Sequence, residues 1–440
     1  MSVEAAERFH FGAIDWQPRA GVARLQYRLE PGPELVETFE FGPAGSAGAE
    51  DGPAIRAALD LLHWVAGVSY WKAWCPRRIV FDAAAPDVWQ AGFLRRLYRG
   101  GLAEFALRNG LDLDDIEFPA HGAARVEPAP PLGLAPRSLV PLGGGKDSLV
   151  ALEGVRATGG EAAVTAVRPA PLIERVAAAT GLQWLPVGRR LAPELADLNA
   201  AGAFNGHVPI TAINAAALLV QALRQGFGRV VFANEASAEE GVVRGGRQAN
   251  HQYSKTLAFE RDLDQWIRRY IAADLHCFSA LRPLTEIAVC RRFAELKAYH
   301  GLFSSCNRQF HLDGARVAGR WCGDCPKCRF VFLGLAPFME RSGLVEIFGA
   351  DLLDDPGQVE GFADLCGLGQ KPFECVGEAA ECRAAIHALA QRPGWRDAAV
   401  IAALAPRLAD RETPPLAEFL QPRPEHHLPA ELAARLDATG

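Results

Sequence analysis

Four of the ten cysteines fall in one short stretch, CNRQFHLDGARVAGRWCGDCPKC. It places Cys306, Cys322, Cys325 and Cys328 at the spacing C-x15-C-x2-C-x2-C. Two CxxC turns let sulfurs converge on one ion, and four thiolates suit tetrahedral zinc. Four sulfurs leave no open coordination position, so such an ion is structural. An iron–sulfur cluster and a set of free thiols are the alternatives for the same residues. Cys75, Cys277, Cys290, Cys366, Cys375 and Cys382 form no comparable set and read as buried thiols.

The second chemical signal is LVPLGGGKDSLVALEGVRATGG, residues 139–160. An apolar run meets Gly143, Gly144 and Gly145, then Lys146, Asp147 and Ser148, then a helical pattern. Glycines between a strand and a helix let backbone N–H groups turn onto an anion, and the helix N-terminus adds partial positive charge. A tight turn without a ligand is the alternative. Two phosphate motifs are excluded by position. A Walker A loop needs Gly at 140 and Ser or Thr at 147, where the chain has Val140 and Asp147. A GxGxxG turn starting at Gly143 needs Gly at 148, where the chain has Ser148.

The elements that must hold these residues are read from periodicity. Residues 1–130 form an N-terminal α+β region. GVARLQYRLE and ELVETFEFG alternate apolar with polar around Pro31-Gly32, a hairpin signal, and residues 53–110 are helical with a short strand at RRIVFD. EPAPPLGLAP is a Pro-rich boundary. Residues 137–305 alternate strand and helix, which predicts α/β architecture with a doubly wound parallel sheet. SLVPL, AAVTAV, QWLPV and RVVFANE are its predicted strands. Residues 306–330 hold the cysteine knuckle, 331–405 a helical C-terminal region, and 406–440 a Pro-rich tail expected to pack poorly.

Ligands of an open parallel sheet bind beyond the carboxyl ends of its strands. That rim carries Arg168, then FNGHVPIT with His207, then NEASAEEG with Asn234, Glu235 and Glu239, then Arg244, His251 and Lys255. For each residue a plain reading exists: Asn234 and Ser237 cap a helix, His207 bonds within its own loop, and Arg244 and Lys255 are surface charges. Taken together they are the candidates for nucleotide binding and acid–base work, since a carboxylate or imidazole with a shifted pKa serves as a base.

The chain has 440 residues, 49% apolar and 22% charged, with a net charge of −6. That profile is globular, and the acidic balance argues against a nucleic-acid surface. No apolar run suits a bilayer span and no signal-peptide pattern opens the chain, so a cytoplasmic protein with no membrane partner is expected.

GGGKDS resembles the SGGxDS pyrophosphate loop of the PP-loop ATP pyrophosphatases, with Gly143 standing where that family has Ser. CGDCPKC resembles the zinc knuckle of 7-cyano-7-deazaguanine synthase, itself a PP-loop enzyme. GVSYWKAWCP, GGGKDS, NGHVPIT, ANEASAEEG, NHQYSK, CGDCPKC and KPFECVG, in that order over most of residues 60–380, resemble the UDP-N-acetylmuramoyl-L-alanyl-L-glutamate epimerase family. The resemblance implies an isomerase that turns the terminal L-Glu of UDP-MurNAc-L-Ala-L-Glu into D-Glu for peptidoglycan. It would consume ATP and release AMP and pyrophosphate, downstream of a ligase that adds L-Glu to UDP-MurNAc-L-Ala. It further implies that Gly143 to Ser148 cradle the pyrophosphate, that Asp147 assists a magnesium ion, that Arg168 marks the adenine edge, and that the four-cysteine set holds zinc. Lys146 and Asp147 count among the catalytic residues, and the base stays open among His207, Glu235, Glu239, His251 and Lys255. Cys375 is an outside candidate, because cofactor-independent glutamate racemases use paired cysteines. A nitrile synthase or amidotransferase like the deazaguanine enzyme, and a tRNA-modifying thiolase, share parts of the motif set. The long flanking regions disfavour the first, and the acidic charge with no second cysteine pair disfavours the second.

Overall fold

The computed structural model describes residues 5–239, 242–244, 247–249, 253–310, 319–370 and 376–438. The alternating N-terminal segments form a meander: β1 (Arg8–Gln17), β2 (Val22–Glu30) and β3 (Glu34–Glu40) pair antiparallel in sequence order. The predicted hairpin at Pro31-Gly32 joins β2 to β3. Alternation puts Ala23, Leu25, Tyr27 and Leu29 of β2, and Leu35 and Phe39 of β3, into the core. β4 (Arg78–Phe81) adds in parallel to β1. The helix Pro53–Ala66 buries Ile55, Leu59 and Leu62 in the core on this side of the molecule and packs against the helix Ile210–Gln225.

The second sheet is all parallel. β5 (Ala135–Pro141) and β6 (Ala162–Thr165) are neighbours, β8 (Phe227–Phe232) flanks β5, and β11 (His276–Ser279) flanks β8. Parallel strands joined by helical crossovers give the mixed α/β architecture expected from the sequence. β7 (Gly188–Arg190) leaves this sheet and pairs antiparallel with β3. There the Arg189 Nε bonds the fully buried Glu37 Oε1 at 2.5 Å, which ties the two halves together. Burial pushes the Glu37 carboxyl up, and Arg189 opposes that shift. A short pair, β9 (Val242–Arg244) and β10 (Arg247–Ala249), lies beyond β8.

Three details differ from the sequence expectation. QWLPV is not a full strand: it meets β6 and its extension through two bridges, Trp184 with Val164 and Val187 with Val167. Pro186 between them has no N–H to donate. β11, HCFS, had no period to reveal it, being only four residues. The third is the C-terminal tail, which packs rather than hanging free. Phe419, Leu428 and Leu432 are buried, Thr285 donates to the Phe419 carbonyl at 2.7 Å, and Arg423 N donates to Pro283 O at 2.7 Å.

His427 of that tail sits 3.1 Å from Asp264, which His276 also approaches at 3.6 Å. Burial alone would raise the Asp264 carboxyl, but the two histidines outweigh it and bring it down to about 2. The bond to Asp264 raises His427 above its ordinary value. A raised histidine contributes attraction that is complete below its unfolded value and lost as pH rises through the folded one. The carboxylate stays ionised throughout that range. Hydrogen exchange across 422–438, corrected for intrinsic pH dependence, should therefore quicken from pH 6 to pH 9. In His427→Ala the change with pH should largely vanish.

Candidate functional site

The glycine turn is closed by its own side chain. Gly143 N–H donates to the Ser148 Oγ at 3.2 Å, and that hydroxyl donates to the Gly145 carbonyl at 3.3 Å. Gly144 has φ +81°, a conformation that L side chains rarely adopt. A methyl on Gly145 would strike the Ser305 Oγ at 2.6 Å, so the turn and the segment 303–306 approach closely. Ser304 N donates to the Gly144 carbonyl at 2.9 Å and fixes that approach. Open space surrounds the Cβ position of Gly143, where the resembled loops carry serine.

The helix Lys146–Ala157 starts at Gly145 without a side-chain cap, so no side chain accepts from its first N–H groups. They border a cleft of about 350 Å³. Gly143, Gly145, Asp147 and Ser148 form one wall. Thr211 and Asn214, from the start of the helix Ile210–Gln225, form a second. Phe232 and Asn234, at the end of β8, form the floor. Ser304, Ser305, Asn307 and Lys327 form the last wall. The helices Ile210–Gln225 and Pro326–Leu335 also begin without a side-chain cap. Backbone N–H groups left uncapped at a helix start can take an anion.

Under the turn lies a buried charge cluster. The Lys146 ammonium bonds both Asp147 and Glu286, and its side chain is 2% exposed, whereas Asp147 is 31% exposed and lines the cleft. Burial would push the Lys146 ammonium down, but the two carboxylates outweigh it and hold it well above its usual range. Asp147 is held low: burial opposes this, and Lys146, Lys327 and Lys255 prevail. Glu286 moves the other way. Burial raises it, as do the carboxylates of Asp147 and Glu235, against the pull of Lys146. One buried cation can neutralise one carboxylate, and Asp147, with water beside it, takes the negative charge.

Arg282, 1% exposed, holds the rim loops. It donates to the Glu235 carbonyl at 3.0 Å, to the Lys255 carbonyl at 2.5 Å, and to the Glu260 carboxylate at 3.0 Å. Glu235 is itself buried and accepts from the Ser237 hydroxyl at 2.9 Å. Asn234 donates to the Ser279 Oγ at 2.9 Å, which orients its side chain at the cleft floor.

The four cysteine sulfurs lie within 4.8 Å of one another, with Cys322–Cys328 at 3.7 Å and Cys325–Cys328 at 3.4 Å. A disulfide would need about 2.05 Å. Four thiolates each about 2.3 Å from a tetrahedral ion stand about 3.8 Å apart, so the donor set fits such an ion. Ser304 links this cluster to the turn: its hydroxyl accepts from Cys306 N at 3.1 Å and donates to the Arg320 carbonyl at 2.7 Å.

Among the residues expected from the sequence, the structure brings Gly143, Gly145, Asp147, Ser148 and Asn234 into the cleft lining. Lys255 and Glu235 stand close enough to act on the charge cluster. Lys146 is buried beneath the turn, and His207 and Arg168 lie outside the lining. Arg168 holds a positive φ of 51°, with its N–H donating to Val187 O at 2.8 Å. The side chains of Glu239 and Arg244, and the whole of His251 and Cys375, lie outside the described residues. Cys277, Cys290, Cys366 and Cys382 are buried thiols. The sequence reading missed Glu286, Arg282, Asn214, Asn307 and Lys327. Asn307 and Lys327 stood inside the quoted cysteine stretch, as neighbours of Cys306 and Cys328, and the other three in no quoted motif.

The fold and cleft define a mixed α/β protein with a glycine turn at the carboxyl edge of a parallel sheet, beside a cluster of four cysteines. Residues 1–280 match the MurL N-terminal domain and residues 302–418 the MurL C-terminal domain. The chain is 48% identical, over 90% of its length and 88% of the relative's, to UDP-N-acetyl-alpha-D-muramoyl-L-alanyl-L-glutamate epimerase of Xanthomonas oryzae pv. oryzae. It is 41% identical to the Salinispora tropica protein of that name, over 90% and 88%, and 42% identical to the Micromonospora sp. protein, over 86% and 85%. The chain belongs to the MurL family.

The buried cluster yields a stability prediction. Lys146→Met should leave Asp147 and Glu286 without their cation and cost about 3–5 kcal/mol in denaturant unfolding. In Lys146→Met with Glu286→Gln, most of that loss should return. Equal losses in the single and double variants would show that the charges do not interact.

Proposed function

We propose that this chain is an ATP-dependent epimerase that converts the terminal L-Glu of UDP-MurNAc-L-Ala-L-Glu to D-Glu in the supply of peptidoglycan precursor. The names of its relatives and their coverage of the chain support the substrate. The cleft supports the nucleotide: three uncapped helix starts and the glycine turn surround one space beside an ionised Asp147. That convergence is the observation that carries the ATP reading. It fits a doubly wound PP-loop pyrophosphatase fold.

The chemistry needs activation first. The α-hydrogen beside a free carboxylate is hard to remove, because the product is a dianion. Attack of the substrate carboxylate oxygen on the ATP α-phosphorus forms an acyl adenylate and releases pyrophosphate. The carboxylate charge is gone, and a base takes the α-proton of the acyl adenylate. A proton returns to the other face, and water cleaves the acyl adenylate to D-Glu and AMP. In this scheme the turn N–H groups and Ser148 hold the pyrophosphate, and Asn234 sits at the nucleotide. Glu235 and Lys255, both placed by Arg282, are the rim candidates for proton transfer. Asp147 would hold magnesium, which neutralises phosphate charge. Cys306, Cys322, Cys325 and Cys328 would hold structural zinc. The reaction supplying the substrate is a ligation of L-Glu to UDP-MurNAc-L-Ala, and such nucleotide-linked chemistry suits a cytoplasmic enzyme. Among the described residues no helix is long and apolar enough to cross a membrane.

The test combines chain, ATP, magnesium and UDP-MurNAc-L-Ala-L-Glu, with chiral analysis of glutamate after acid hydrolysis and AMP measured in the same sample. D-Glu should appear together with AMP, and Asp147→Ala should lower both at least about a hundredfold. D-Glu without AMP would refute the ATP dependence; neither product from folded protein would refute the substrate. Elemental analysis should find about one zinc per chain. Cys328→Ser should lose that metal and unfold at lower temperature; iron with visible absorbance would refute zinc.

A further inference from the structure

Among the described residues lining the cleft, Lys327 carries the one cationic side chain. The other lysine expected to serve there, Lys146, spends its charge on Asp147 and Glu286 beneath the turn. No ion pair closes on Lys327 among the described residues, although Asp147 is near enough to feel its charge. Its placement is built rather than incidental. Lys327 is the second residue of the helix Pro326–Leu335, and long helical side chains lean toward the helix N-terminus. Here that direction is the cleft. Cys325 and Cys328 flank it and belong to one sulfur cluster, so the backbone on both sides is pinned. Asn307, next to Cys306, lines the same wall, and Ser304 ties that wall to Gly144.

We infer that Lys327 is a binding residue for the terminal phosphates of the nucleotide, and that the cysteine cluster serves the site by holding this ammonium opposite the glycine turn. This rests on the ATP reading above. It adds that the pyrophosphate is gripped from two sides, by the turn N–H groups and by a cation delivered from the C-terminal region. AMP, which lacks those phosphates, does not meet Lys327.

The test uses the full, metal-loaded chain and calorimetric binding of ATP with magnesium, of inorganic pyrophosphate and of AMP. Lys327→Met should weaken ATP and pyrophosphate about ten- to a hundredfold and leave AMP within about twofold, because charge-assisted phosphate bonds are lost. Lys327→Arg should recover most of the loss, with metal content unchanged. A purely structural role would instead move all three ligands together. A second measurement needs no variant: mass spectrometry of amine-reactive labelling on the native chain. Pyrophosphate should protect Lys327 and AMP should not. Native pyrophosphate affinity in a metal-loaded Lys327→Met, or no protection by pyrophosphate in a chain that binds ATP, overturns the assignment and leaves the ATP reading standing. A native chain that binds neither ATP nor pyrophosphate removes both.

Discussion

The Lys146 ammonium, shut away between Asp147 and Glu286, is the interaction on which the site depends. A charge removed from water must be matched, and here the match crosses two elements. Lys146 and Asp147 begin the helix after the glycine turn, and Glu286 begins the helix Glu286–Glu295. The pair therefore fixes the helix start that faces the cleft, and it leaves Asp147 as the ionised carboxylate at its wall. Glu286 keeps company with Glu235, so the rim loop and the turn share one electrostatic balance. Arg282 performs the corresponding task for the rim, spanning Glu235, Lys255 and Glu260.

The cysteine cluster belongs to this arrangement rather than standing apart from it. Its sequence neighbours Ser305, Asn307 and Lys327 line the cleft. The Ser304 N–H, bonded to the Gly144 carbonyl, holds this segment against the glycine turn, and the Ser304 hydroxyl accepts from Cys306 N, next to the four sulfurs that lie within 4.8 Å of one another. The N-terminal half is joined on the other side, through β7 on β3 and through the helix Ile210–Gln225, whose first turn contributes Thr211 and Asn214. Gly101 packs on Pro209 and Gly100 on Tyr253, so the N-terminal helices brace the loops that carry those residues.

What could be read from sequence was local. The turn was legible because its glycines answer to backbone geometry, and Gly144 does hold a positive φ. The meander and the βα alternation were legible from period. The four cysteines were legible from spacing. Glu286 and Arg282 were not, because an acidic residue after Thr285 and an arginine in a turn look like ordinary caps and surface charges; only tertiary burial makes them partners. The four residues of β11 carry too little pattern to separate a strand from a loop. The motif puts Lys146 beside Asp147 and so suggests a cleft lysine, but successive helix residues face different ways, and the structure turns its side chain inward. The prolines of the tail mislead in another way. Proline interrupts regular elements without forbidding contact, and Phe419, in the short helix Leu416–Leu420, and Leu428 anchor the tail.

The central claim is that the cleft activates a substrate carboxylate by joining it to AMP. The most direct measurement starts from UDP-MurNAc-L-Ala-L-Glu with both oxygens of the terminal α-carboxylate replaced by oxygen-18, and follows the phosphate of the AMP produced. Acyl adenylate formation followed by water attack at the acyl carbon leaves one labelled oxygen on AMP for each turnover. AMP carrying no label, formed alongside D-Glu, would show that ATP is cleaved without joining the carboxylate and would contradict the account.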